Sequence, residues 1–168
     1  MKQRVEFFTD DSVKITGDYY PVNNKMNAPA AILLHMMPAT KESWSAFAQK
    51  LQSNGFQALA IDLRGHGESV ATRDGKVLDY KNFSDREHQA SIRDVAAAEE
   101  WLRARGAEQI HLEGASIGAN LALQYLAEHP NTVSATLLSA GINYRGIETL
   151  PHARTIAKNQ HVFIVASK

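Results

Sequence analysis

One stretch, residues 110–120, restricts the fold of this chain more than any other. Its sequence, Ile-His-Leu-Glu-Gly-Ala-Ser-Ile-Gly-Ala-Asn, predicts a short strand, a tight turn at Ser116 and the start of a helix. Gly114 and Gly118 lie two residues on either side of the serine, so two backbone segments can come close there. A Gly-x-Ser-x-Gly spacing between a strand and a helix is typical of a nucleophile elbow, a strained turn that exposes the serine hydroxyl above a sheet edge.

The helix predicted after Ser116 would let the turn bind an oxyanion. Because Ile117 would open that helix, free N–H groups and the positive end of the helix dipole would favour an oxyanion beside the serine. A purely structural glycine-rich turn with a buried serine would show the same spacing. A phosphate or nucleotide site fits less well, because the spacing is neither Gly-x-Gly-x-x-Gly nor a P-loop and no lysine follows Gly118. The apolar face of this helix is predicted to comprise Ile117, Leu121, Ala122, Tyr125 and Leu126.

From Ala30 onward, apolar strand-like runs alternate with helical patterns. Such alternation predicts a mostly parallel sheet covered on both faces, a three-layer αβα sandwich. An antiparallel N-terminal hairpin is predicted to precede it, from strands at Val5–Thr9 and Val13–Tyr20. The other predicted strands are Ala30–His35, Phe56–Leu63, the elbow strand, Val133–Ser139 and His161–Ala166.

The connecting segments are predicted from local signals. Thr40 or Ser43 is expected to cap a helix that ends near Gly55. A Ser-x-x-Glu capping box at Ser84 is expected to open one long surface helix that reaches Gly106. A short helix is predicted near residues 152–158, and residues 70–83 and 140–149 are predicted to be irregular loops.

Composition excludes several classes of function. A chain of 168 residues is expected to be a single domain, residues 1–168. Lys plus Arg equals Asp plus Glu at 18 each, so no basic field attracts nucleic acid or an anionic membrane. The absence of cysteine excludes disulfides, thiolate catalysis and cysteine-ligated metal, and no metal or cofactor is predicted. The first eight residues have no apolar core of a signal peptide, so a cytoplasmic location is expected.

Three segments together resemble one known family. They are Asp-Leu-Arg-Gly-His-Gly-Glu-Ser at residues 62–69, the elbow at residues 114–118, and His35 with the residues that follow it. The chain resembles the α/β-hydrolase fold, specifically its cap-less esterase and dienelactone-hydrolase-like members. The resemblance implies a serine hydrolase that acts on small-molecule esters or acyl compounds without a cofactor.

The resemblance also assigns roles to individual residues. Ser116 would be the nucleophile, and the backbone N–H groups of Ile117 and Met37 would form the oxyanion hole. The loops that carry His35, Met36 and His66 would line the site. The residues 140–149 are too few for a large cap, so an open site for small or flexible acyl groups is expected.

In this family the catalytic acid follows the strand that residues 162–166 resemble, and the histidine lies on a later loop. Both are therefore expected beyond Lys168, with the last strand and helix of the fold, and the domain is expected to be incomplete at its C-terminus. Within the chain, His35 or His66 could replace the base, and Asp62 or Glu113 the acid, although these residues more often hold loops in place. A catalytically impaired fragment, a pseudoenzyme or one part of a larger assembly is the alternative to an active enzyme.

The last apolar strand carries a further expectation about partners. Without a neighbouring strand, residues 161–166 would present an unpaired sheet edge to solvent. Either a longer natural protein, of which this chain is a fragment, or an assembly that covers this edge, such as self-association through it, is therefore predicted.

Overall fold

The computed structural model describes residues 1–22 and 27–166. Within these residues, the strands form one large sheet and one small hairpin. The strands are β1 (Gln3–Phe8), β2 (Val13–Tyr20), β3 (Ala30–Leu34), β4 (Gln57–Ile61), β5 (Ala71–Thr72), β6 (Ile110–Ala115), β7 (Ser134–Leu138), β8 (Asn143–Tyr144), β9 (Ile147–Glu148) and β10 (His161–Val165). The sheet has the order β1-β2-β4-β3-β6-β7-β10, with β5 paired to β2, and β8 pairs only with β9.

Strand direction follows the predicted pattern. β1 and β2 form the antiparallel hairpin, and β2 is also antiparallel to β4. The pairs from β4 through β3, β6 and β7 to β10 are all parallel. The register places Leu34 opposite both Ile61 and Gly114, so β3, β4 and β6 end close together at one edge of the sheet. We call this edge the carboxyl edge.

Helices cover both faces of the sheet, which confirms the predicted α/β architecture. They are α1 (Ser45–Ser53), α2 (Asp85–Gln89), α3 (Ile92–Arg103), α4 (Ile117–Glu128) and α5 (Leu150–Ala153). One face packs against α3 and α4 in the larger apolar cluster, and the other packs against α1 in a smaller one. Alternation along β6 shows the reason: Ile110 and Leu112 are fully buried in the larger cluster, whereas His111 and Glu113, which alternate with them, face the other way.

The predicted caps of α1 were wrong. Neither Thr40 nor Ser43 accepts a hydrogen bond from the first turn of α1, and a 3-10 turn at Lys41–Trp44 precedes that helix. This turn gives Lys41 a buried position, described below. The predicted exit is confirmed, because Gly55 follows the helix with φ +84°.

The prediction of one long helix after Ser84 was also wrong. The capping box forms, with Ser84 and Glu87 bonded reciprocally, but the helix ends at Gln89 and a new one starts at Ile92. His88 and Asp94 are both buried. Since six residues turn a continuous helix by about 600°, the two side chains would lie about 120° apart on it. The break allows both to face the protein.

Two predicted loops contain short regular structure. Residues 70–83 include β5 and a 3-10 turn at Tyr80–Asn82, because β5 finds a partner in β2. Residues 140–149 include the β8–β9 hairpin. The short helix predicted near residues 152–158 lies earlier, at α5. No helix in residues 1–22 and 27–166 is both long enough and apolar enough to cross a membrane.

Candidate active site

Ser116 occupies the turn between β6 and α4, as the sequence predicts. Its backbone has φ +53° and ψ −118°, a combination that is unfavourable for a residue with a side chain. Hydrogen bonds hold the turn from both sides: the Ser116 N–H donates to the Leu138 carbonyl at 2.9 Å, and its carbonyl accepts from the Ala119 N–H at 2.9 Å. The serine is partly exposed to solvent. The strained conformation is therefore fixed by the surrounding backbone.

The two glycines of the elbow are required by contact. A Cβ on Gly114 would lie 2.2 Å from the Gly118 carbonyl oxygen, and a Cβ on Gly118 would lie 2.4 Å from the Leu34 carbonyl oxygen. Real Cβ atoms do not approach other atoms so closely. The start of α4 thus rests directly on the ends of β6 and β3, and the Gly-x-Ser-x-Gly spacing serves this packing.

The predicted oxyanion donors lie beside this contact. Ile117 is the first residue of α4, where N–H groups have no acceptor within the helix. Met37 lies in the loop after β3, partly buried against the larger apolar cluster. Since Gly118 touches the end of β3, this loop and the start of α4 are neighbours. Met36 is 47% exposed, and its carbonyl accepts from the Ala39 N–H at 2.8 Å. The donor roles themselves stay predictions.

His35 is fully buried, and both of its ring nitrogens form hydrogen bonds. The Leu63 N–H donates to Nε2 at 3.0 Å, so Nδ1 carries the proton and donates to the Met36 carbonyl at 2.9 Å. Burial lowers the pKa of this imidazole, against the opposing effect of the hydrogen bond to Met36. His35 thus joins the loop after β3 to the loop after β4 as a neutral ring.

His66 is held between two rings at the same edge. It stacks on Tyr80 with ring centroids 3.9 Å apart and meets His35 edge to face at 5.0 Å. Its Nδ1 lies 3.1 Å from the Arg64 carbonyl, and its buried Nε2 has no hydrogen-bond partner in the described part of the chain. Burial and the neighbouring His35 lower the pKa of His66 to about 4. A base with such a pKa is poorly matched to catalysis near neutral pH.

The two candidate acids have structural surroundings. Asp62 is fully buried and accepts hydrogen bonds from the Lys41 N–H at 2.7 Å, the Lys41 Nζ at 2.8 Å and the Glu68 N–H at 2.9 Å. Glu113 points to the α1 face of the sheet, and burial raises its pKa to about 7. Neither carboxylate is hydrogen-bonded to a histidine among the described residues. Asp62 therefore joins the 3-10 turn at Lys41 to the loop after β4.

Two residues that support the site, Lys41 and Asn120, were not predicted from the sequence. Lys41 binds Asp62 from a buried position, and no pattern in the sequence distinguishes it from an exposed lysine. Asn120 lies one helical turn after Ser116, donates to the Ile147 carbonyl at 2.7 Å and accepts from the Gly141 N–H at 3.1 Å. It thereby fixes the β8–β9 hairpin to α4. An asparagine inside an apolar helical face was the signal that could have revealed it.

A buried ion cluster supports the loop after β4. Arg64 lies between Asp94, at 2.8 Å, and Asp11, also at 2.8 Å. Burial acts to lower the pKa of the guanidinium, but the two carboxylates raise it overall. Asp94 lies beside Val95 on the buried face of α3. A charged residue at such a position could have predicted a buried partner of opposite charge. In the described ranges, no cluster of three or more histidine, aspartate or glutamate side chains could hold a metal ion.

The fold and the strained serine turn define a class of protein, and comparison with known families agrees. The model of the alpha/beta hydrolase fold matches residues 29–163, so the chain belongs to the alpha/beta hydrolase fold family. Among curated proteins, it is 34% identical over 134 residues to a bifunctional esterase/perhydrolase of Acinetobacter calcoaceticus. That alignment covers 79% of this chain and 43% of that protein. It is also 27% identical over 143 residues to lipase 1 of Psychrobacter immobilis, which covers 83% of this chain and 41% of that lipase.

A solved structure shows the same fold. An esterase of Pyrococcus furiosus superposes with a TM-score of 0.75 at 21% identity, covering 98% of this chain and 70% of that one. The chain spans less than half the length of the curated relatives that it matches.

Proposed function

We propose that this chain carries the nucleophile and the oxyanion-binding backbone of a serine hydrolase that acts on carboxylic esters. The observation that carries the proposal is the Ser116 turn. A serine is held in a strained conformation at the carboxyl edge, and the two glycines around it are sterically required. Strain of this kind is retained where the surrounding structure enforces it, and such places are often functional.

The proposed reaction forms and then hydrolyses an acyl-enzyme. The Ser116 Oγ attacks the ester carbonyl carbon and loses its proton to a base. The negative charge that develops on the carbonyl oxygen is stabilised by the N–H groups of Ile117 and Met37. The alcohol leaves with a proton from the conjugate acid of the base, and water then attacks the acyl group to release the carboxylic acid and free Ser116.

We place the catalytic acid and base outside the described residues, because neither histidine at the carboxyl edge is suited to be the base. Both ring nitrogens of His35 are engaged, and His66 has a pKa of about 4 and is stacked on Tyr80. Neither histidine is oriented by a carboxylate, as a catalytic base requires. The class of reaction is supported by the relatives named esterase and lipase.

A small or flexible acyl group is the substrate class that we favour. The segment after β7 that could cover Ser116 consists of the short β8–β9 hairpin, which Asn120 holds against α4. A hairpin tied to the same helix as the nucleophile leaves Ser116 partly exposed. We therefore propose an open site rather than one enclosed by a large cap.

The test is covalent labelling of the 168-residue polypeptide by a fluorophosphonate, with the modified residue located by mass spectrometry. We expect slow labelling at Ser116, accelerated by added imidazole, which would stand in for the base that we place outside the described residues. Ser116→Ala should abolish it. Ser139→Ala is the matched control, because Ser139 is another serine with positive φ, at 51°, at the end of β7.

The outcomes separate the parts of the proposal. Fast labelling without imidazole would place a base within this chain and overturn our placement of it. No labelling of Ser116 with or without imidazole, in a folded protein, would exclude a competent nucleophile. The chain would then be a pseudoenzyme or a non-catalytic part of an assembly.

A further inference from the structure

A cleft of about 800 Å³ lies apart from the elbow. It is bounded by the turn between β1 and β2, the turn that follows β5, and α2. Neither Ser116 nor the loop after β3 lines it. Its volume is in the range of small-molecule sites in proteins.

The floor of the cleft is apolar. Val13 and Leu78 are buried members of the larger apolar cluster, and Phe83 packs against that cluster from a partly buried position. Ala90, at the end of α2, completes this floor. A ligand with an aliphatic or aromatic body would remove this surface from water.

Besides Arg64, which is buried and paired with Asp11 and Asp94, three cations stand around the cleft: Arg73, Lys76 and Arg86. All three are exposed, and among the described residues none of them forms an ion pair with a carboxylate. Arg73 and Lys76 come from the turn after β5, and Arg86 comes from α2 on the other side. The positive charges therefore flank the apolar floor from two elements.

The carboxylates of the cleft already have partners. Asp11 accepts from Arg64 at 2.8 and 3.0 Å, and these bonds lower the pKa of Asp11 against the opposing effect of its burial. Glu87 accepts from the Ser84 N–H and hydroxyl, both at 2.8 Å. Asp74 accepts a hydroxyl hydrogen bond within its own turn. Arg73, Lys76 and Arg86 are thus not neutralised by a direct ion pair with the carboxylates of the cleft.

We propose that this cleft binds an organic anion with an apolar body, such as an aromatic or aliphatic carboxylate or sulfonate. The apolar body lies on the apolar floor of the cleft. The anionic group pairs with the guanidinium and ammonium groups of Arg73, Lys76 and Arg86. Because these cations are exposed, added salt weakens the binding. The proposal does not depend on the chemistry assigned to Ser116.

Two naphthalene dyes that differ in charge test it. 8-Anilinonaphthalene-1-sulfonate carries the anion, and N-phenyl-1-naphthylamine is the same body without it. We expect the sulfonate to bind the 168-residue polypeptide, with its dissociation constant raised about tenfold or more by Arg73→Gln/Lys76→Gln/Arg86→Gln. Weak binding of the neutral dye should be unchanged by the same substitutions.

The matched control is Lys50→Gln/Arg154→Gln/Lys158→Gln, which removes three exposed cations elsewhere on the surface. It should change the dissociation constant of the sulfonate dye by less than about twofold. Equal losses in the two triple variants would show a general charge effect and overturn the proposal. So would binding that survives the cleft variant but is lost with Phe163→Ser, because Phe163 is an exposed apolar residue of β10.

Discussion

Replacement of Gly118 by alanine tests whether the packing of α4 on β3 holds the elbow. The new Cβ would lie 2.4 Å from the Leu34 carbonyl oxygen and 2.8 Å from that of His35. Ordinary contact begins near 3.4 Å, so the start of α4 must move by about 1 Å from the end of β3. Both contacted atoms are backbone atoms, which cannot rotate away as a side chain would.

The expected loss of stability follows from this displacement. Inserting a methyl group into a tightly packed region costs about 1–3 kcal/mol. For a chain of this size, a loss of about 2 kcal/mol lowers the melting temperature by about 4–8 °C. Because Ser116 precedes the displaced turn, we also expect fluorophosphonate labelling to slow by up to about 100-fold, as a misplacement of about 1 Å can cause.

Urea unfolding followed by tryptophan fluorescence measures the free energy of unfolding. Gly106→Ala is the contrasting control. Gly106 has φ +85° and a Cβ there meets nothing within 4 Å, so it reports the cost of a positive φ alone, whereas Gly118, in α4, has no positive φ and reports the steric contact. That cost is about 1 kcal/mol or more for a positive φ. If Gly118→Ala unfolds within about 0.5 kcal/mol of the unsubstituted protein, α4 does not rest on β3 in the way described.

Three further predictions concern other parts of the fold. Lys41→Met leaves the fully buried Asp62 without its cation, and we expect the free energy of unfolding to fall by about 3–5 kcal/mol. Glu113 has a pKa raised by burial to about 7 from 4.5, so its contribution to stability is lost as the pH rises through that interval. Glu113→Gln should therefore gain up to about 2 kcal/mol over the parent protein between pH 4.5 and 8, as measured by urea unfolding. Ile164→Lys, at a position 72% exposed on the edge strand β10, should reduce self-association of the 168-residue polypeptide in sedimentation velocity runs at increasing concentration.

Each of these has an outcome that would contradict it. Lys50→Met removes an exposed lysine of α1 and should change the free energy of unfolding by no more than about 0.5 kcal/mol. If Lys41→Met has an equally small effect, the buried ion pair does not stabilise the fold. A pH-independent difference between Glu113→Gln and its parent would show that this carboxyl titrates normally. A parent polypeptide that stays monomeric at high concentration would remove the basis for pairing at β10.

The arrangement of the sheet was predictable because it depends on patterns that every element repeats. The continuous apolar run of Ala30–His35 and its later counterparts require burial on both faces, which only a covered parallel sheet provides. The elbow was predictable for a related reason. Gly114 is required by contacts with residues close to Ser116 in the sequence, and only the contacts of Gly118 reach a distant segment, the end of β3.

Features that depend on one distant partner were not predictable. The pairing of β5 with β2 and the buried position of Lys41 arise only once the loop after β4 is folded against its neighbours. The break between α2 and α3 also serves contacts that are remote in sequence, since Asp94 meets Arg64 thirty residues earlier. Propensity and periodicity describe a segment by itself, and tertiary contacts override them in such cases.

The hydrogen bonds of His35 make the carboxyl edge sensitive to acid. Nε2 accepts the Leu63 N–H, so a proton taken up at that nitrogen would turn an acceptor into a donor that faces another donor. The lowered pKa of His35 means that the neutral ring favours the folded state above its ordinary pKa and that this advantage is lost as the pH falls through the lowered value. Acid would therefore separate the loops after β3 and β4 at their shared imidazole. The two loops beside Ser116 would then lose the hydrogen bond that joins them through His35.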